Sequence, residues 1–120
     1  MTHSLIASIN YATDSLGLYR AELARILGLM CSDVGDSFQL EDLLNRNVET
    51  NMRAQRFVFF FSQLEILFYH DHIKMVHWLR GEHKTLGTSP LLAMVDENRL
   101  EEVIRVMSRS FIASGHVSIE

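Results

Sequence analysis

The sequence predicts an all-α protein, and three observations carry that expectation. Proline occurs once and glycine six times in 120 residues, so few positions break a helix. Apolar residues recur three and four apart through most of the chain, which is the period of an amphipathic helix and not the alternation of a strand. Residues 49–80 contain neither proline nor glycine, enough for a long central helix. With 48% hydrophobic and 22% charged residues the chain can fill a core. Its length suits one small domain, or one with a helical appendage.

The elements follow in order. Residues 4–16 form a first helix, with Leu5, Ile6, Ile9, Ala12, Thr13 and Leu16 on one face and Gly17 as its stop. Residues 20–27 form a second, with Leu23, Ile26 and Leu27 inward and Gly28 placed for a left-handed C-cap. A short third helix starts near Ser32 or Asp33, both able to N-cap, and a fourth covers residues 39–47.

In the central helix, Phe57, Phe60, Phe61, Leu64, Leu67 and Phe68 make one wide apolar stripe. Val58, Phe59, Ile66 and Tyr69 are apolar as well and fall outside it. A helix apolar on more than one side is either central in its domain or shared with another subunit. In a chain this short, those four residues are expected at a homodimer interface. Asp71, within the sequence Tyr69-His70-Asp71-His72, is placed to interrupt the helix and cap the next one.

Trp78 and Leu79 then close a helix that Gly81 breaks. A turn follows, and Ser89 stands as N-cap before Pro90 at the first helical position. The last helix carries Leu100, Val103, Ile104, Met107 and Phe111 inward. Its outer face mixes Glu97, Glu101 and Glu102 with Arg99, Arg105 and Arg109.

Composition narrows the function. The single cysteine, Cys31, excludes an internal disulfide and a cysteine-pair zinc site. The N-terminus carries no secretory pattern, and the longest apolar run, residues 57–61, falls far short of the roughly 20 residues of a membrane span. A cytoplasmic protein without membrane contact is expected. The six histidines lack metal-ligand spacing: His70 and His72 point to different helix faces, and His70 and His77 lie two turns apart. Cys31 faces Asp33 and Asp36 in sequence, which disfavour a thiolate nucleophile there. Asp33 and Asp36 themselves have no partner base. Neither catalysis, nor a metal, nor any other cofactor is expected.

The stretch at residues 18–34, LYRAELARILGLMCSDV, resembles the Xre-type helix-turn-helix. Glu22-Leu23-Ala24, Leu27-Gly28 and Val34 carry the likeness: a small alanine permits close helix approach and the glycine permits the sharp turn. Tyr19 stands where a Ser or Thr N-cap is usual. Residues 1–50 hold seven acids against three bases, and residues 51–120 hold eight of each, so the whole net charge of −4 lies in the N-terminal part. A DNA reader needs a positive recognition helix, yet the third helix offers Asp33 and Asp36 and no base. Two readings stay open: a helical scaffold without DNA contact, or DNA binding through Arg20, Arg25 and Ser32 helped by a dimer or a complex.

The C-terminal segment resembles the toxin-binding domain of the Xre/MbcA/ParS antitoxins. Trp78-Leu79, then Leu86-Gly87 and Pro90-Leu91, then Val103, Val106 and Met107 match its order and spacing. Between Gly81 and Leu86 the family's Pro-Asn pair is missing. The resemblance implies a helix-turn-helix unit over residues 1–48 and a helical partner-binding domain over residues 49–120, packed as one compact unit. It implies binding and occlusion of a toxin of the RES class, which degrades NAD, with repression of the operon by the complex. The residues expected at that contact are Trp78, Arg80, His83, Lys84, Thr88, Arg109, Phe111, His116 and Val117. The alternatives are a helix-turn-helix transcriptional regulator and a homodimeric helical adaptor that binds neither DNA nor toxin.

Overall fold

The computed structural model describes residues 2–30 and 37–113. Among these residues the chain is all-helical, in the order α1 (Thr2–Leu16), α2 (Arg20–Leu27), α3 (Ser37–Arg46), α4 (Val48–Leu67), α5 (His72–Arg80), α6 (Pro90–Val95) and α7 (Leu100–Ala113). No helix among the described residues is long and apolar enough to cross a membrane. The chain divides into two compact units, Met1–Phe61 and Ser62–Glu120. That division falls inside α4, whereas the sequence reading draws its boundary at residue 48.

In the first unit, α1 packs against α3. Ile6, Ile9, Ala12 and Leu16 are buried along one face of α1, as their spacing predicts. Gly17 follows with φ +64° and ends the helix. Helix α2 buries Leu23, Ala24, Ile26 and Leu27. Tyr19 at its N-cap supplies no capping side chain, but the Glu22 carboxylate accepts a hydrogen bond from the Tyr19 N–H at 2.9 Å and satisfies that end from inside the helix. At the other end Gly28 is left-handed at φ +77°, the conformation that L side chains resist. The side chain of Arg53 also closes on this point: a β-carbon at residue 28 would meet its Nη1 at 3.2 Å.

The expected third helix, with Cys31, Ser32, Asp33, Val34 and Asp36, lies outside the described residues. The expected fourth is α3, which begins two residues earlier than its pattern suggests. Asn47 alone separates α3 from α4. Its Oδ1 accepts from the Thr50 N–H at 3.1 Å, so one asparagine ends a helix and caps the next.

The part of α4 up to Phe61 is built into the first unit by contacts from three helices. Tyr11 meets Phe61 edge-to-face at 5.4 Å, Asn51 Nδ2 donates to the Leu44 carbonyl at 3.2 Å, and Arg53 Nη1 donates to the Ile26 carbonyl at 3.4 Å. Ala54, Phe57 and Phe60 are fully buried between them. Each phenylalanine removed from water contributes about 1.5–3 kcal/mol. These contacts are why the division falls within the helix and not before it.

In the second unit, α6 packs against both α5 and α7. The core is Leu64, Met75, Leu79, Leu91, Ala93, Met94, Val103 and Met107. Helix α4 ends as the sequence predicts. Tyr69 and His70 both take left-handed φ, +54° and +62°, held by the His70 N–H donating to the Glu65 carbonyl at 2.8 Å. The half-buried Glu65 carboxylate adds contacts to His70 Nδ1 at 3.3 Å and His72 Nε2 at 3.0 Å. Asp71 caps α5 by accepting from the Lys74 N–H at 3.2 Å. Ser89 caps α6 by accepting from the Leu92 N–H at 3.1 Å, with Pro90 in the first turn.

Candidate partner-binding face

Helix α5 runs from its Asp71 cap to Gly81, whose N–H donates to the His77 carbonyl at 3.0 Å. Met75 and Leu79 are buried, which turns Ile73, Lys74 and His77 toward solvent. Ile73 is 83% exposed, an unusual place for a large aliphatic side chain. Beside it, Phe68 and Trp78 hold their rings 6.5 Å apart at a tilt of 54°. Phe68, Ile73, Lys74, His77 and Trp78 together line an apolar groove of about 390 Å³, open to solvent.

The turn between α5 and α6 meets the groove's edge at Trp78. Trp78 meets His83 edge-on at 6.3 Å. The His83 N–H donates to the Thr88 carbonyl at 3.0 Å, and Gly87, at φ +74°, donates back to the His83 carbonyl at 2.9 Å. The turn therefore has a fixed shape, with Leu86 as its buried anchor. The Nδ1 of His83 is buried without a hydrogen-bond partner.

Arg99 fixes the turn from the far side. Its Nη1 donates to the Leu86 carbonyl at 3.0 Å. Nε and Nη2 make a forked pair with Glu102 at 2.8 Å each, and Nη1 also bonds Glu97. The hydrogen bonds to Glu102 and then Glu97 push the Arg99 guanidinium above its ordinary range. The bond from Arg99 holds the Glu102 carboxyl below its ordinary value of 4.5.

The structure brings Trp78, Arg80, His83, Lys84 and Thr88 into one stretch of α5 and its turn. Trp78, His83 and Thr88 are half-buried; Arg80 and Lys84 are exposed. Arg109 is exposed on α7, and Phe111 lies in the last turn of that helix. His116 and Val117 lie outside the described residues. On α2, Arg20 and Arg25 are both exposed, while Ser32 is outside the described residues. Of the expected dimer residues, Phe59 and Ile66 are exposed on one face of α4, Val58 is half-buried and Tyr69 is exposed beyond the helix end. Among the described residues no group of three or more His, Cys, Asp or Glu is placed to hold a metal ion.

Sequence reasoning missed Phe68, Ile73, Lys74 and His77 as groove residues. Ile73 and His77 are four apart, as are Lys74 and Trp78, so α5 alone carried the signal. Its spacing places Phe68 on the core stripe of α4, but the left-handed Tyr69 and His70 that follow redirect the chain. The arrangement suits a partner with an apolar side chain for the groove and acidic groups for Lys74, Arg80 and Lys84. Compared with protein-family models and with curated proteins, the chain matches none.

Proposed function

We propose that the chain is a partner-binding protein of the antitoxin type, and that its second unit seats on a toxin and covers the entrance to the toxin's active site. One observation carries this reading. An open aromatic groove stands beside exposed cations on a turn that Arg99 holds rigid. It lies in the segment whose Trp78-Leu79, Leu86-Gly87 and Pro90-Leu91 pairs resemble the Xre/MbcA/ParS toxin-binding domain. A rigid turn suits occlusion, because ordering a mobile one on binding would cost affinity. The partner implied is a RES-class toxin that degrades NAD, and the antitoxin makes and breaks no bond.

The test is co-expression with the adjacent reading frame, scored by growth and co-purification. Trp78 is half-buried, so its replacement confounds folding with contact. Arg80→Glu with Lys84→Glu leaves the core untouched and isolates the surface. The expected result is relief of toxicity by the parent chain and loss of relief with the charge-reversed pair.

A second reading, a DNA-binding regulator, is favoured by the exposed Arg20 and Arg25 on α2 just before the left-handed Gly28 turn. It requires promoter binding that falls steeply with salt and is lost on replacing both arginines.

A further inference from the structure

Helix α4 has a second apolar face. Opposite the buried Ala54, Phe57 and Phe61, the residues Val48, Met52, Gln55 and Phe59 follow one another at steps of four, three and four, the spacing of a helix-pairing seam. All four are exposed; Val48 is 76% accessible, Met52 60% and Phe59 42%. Glu49 and Arg56 lie along one edge of this seam, seven residues apart. Arg56 already rests over the Phe59 ring, 5.0 Å from its centre.

We propose that this face binds a second copy of the chain, with the two α4 helices antiparallel about a two-fold axis between Arg53 and Ala54. The face is self-complementary. Turning the helix end for end about that point places Val48 opposite Phe59 and Met52 opposite Gln55. It also places Glu49 of each copy beside Arg56 of the other, twice in each dimer. The paired layers run from Val48 to Phe59, 11 steps along the helix and roughly 16 Å at about 1.5 Å per residue.

Charge selects this register over its neighbours. Sliding one helix a heptad on, which moves the axis half a heptad to Phe57, recruits Ile66 but sets Arg56 against Arg56; sliding it a heptad back, with the axis at Thr50, sets Glu49 against Glu49. In a parallel pair aligned in register neither Glu49 nor Arg56 gains an opposite charge across the pair, whereas within its own chain Glu49 lies 3.7 Å from Arg53. This inference is independent of toxin binding, since it uses only the first unit.

Disulfide trapping in the full chain, with Cys31→Ser to remove the native thiol, tests both the dimer and its register. Val48→Cys with Phe59→Cys in one chain is expected to form a covalent dimer on mild oxidation, and Val48→Cys alone is not. Sedimentation supplies the second arm. Glu49→Arg or Arg56→Glu alone creates two like-charge contacts and weakens association about tenfold, and combining them restores it. Circular dichroism confirms that each variant stays folded. A parent chain that sediments as a monomer at every concentration tested overturns the proposal. So does trapping through Val48→Cys alone, or through Val48→Cys with Ile66→Cys in place of the Phe59 pair.

Discussion

Arg99 Nη1 donates to the Leu86 carbonyl at 3.0 Å while its other nitrogens grip Glu102. One side chain from the start of α7 thereby holds the turn that carries His83, Lys84 and Thr88. The turn is held through a contact thirteen residues away in sequence.

That contact predicts an acid-sensitive turn. Because Arg99 depresses the Glu102 carboxyl in the folded chain, the unfolded state binds the proton more readily. The stabilisation is complete above the ordinary carboxyl value of 4.5 and is lost as pH falls through the lower folded value. Thermal unfolding followed from pH 7 downward should show Tm falling more steeply in the parent than in Glu102→Gln. Equal slopes would show that the pair contributes nothing.

Gly28 and Gly17 separate backbone strain from crowding. Both are left-handed, but a β-carbon at Gly17 meets nothing within 4 Å, whereas at Gly28 it meets the Arg53 guanidinium. Alanine at either position costs about 1–2 kcal/mol for the left-handed conformation alone. Gly28→Ala should cost more than Gly17→Ala in urea unfolding, and Arg53→Ala should remove most of the difference.

Two phenylalanines on α4 should behave oppositely. Phe57 is fully buried and Phe59 is 42% exposed. Phe57→Ala should lose about 3–5 kcal/mol of folding stability. Phe59→Ala should cost under about 1 kcal/mol when measured on the monomer, its larger effect appearing in self-association. Similar losses at both sites would mean that Phe59 is part of the core.

Local signals wrote most of the helices into the sequence. Gly28, Asp71, Ser89 with Pro90, and Gly81 each stop or start a helix through their own backbone chemistry, and each sits where that chemistry puts it. The start of α3 was written in the sequence but obscured by a competing reading: Asp36 followed three residues later by Gln39 has capping-box spacing and points to Ser37 as the first helical residue, whereas Asp36 also reads as part of a third helix. The groove was harder still. It depends on two consecutive left-handed residues, Tyr69 and His70; histidine visits that region more often than most residues, but tyrosine does not, and neither marks it as glycine would. Arg99 was legible as a charge on the last helix. That it reaches back to a carbonyl in another turn is a tertiary fact with no local pattern.

The most direct test of the account is growth of cells expressing the adjacent reading frame together with either the parent chain or the Arg80→Glu, Lys84→Glu variant. The account predicts a toxic neighbour, rescue and a stable complex with the parent, and neither with the variant while its helicity is unchanged. A harmless neighbour that does not co-purify with the parent would contradict it, as would equal rescue and equal complex by the two forms.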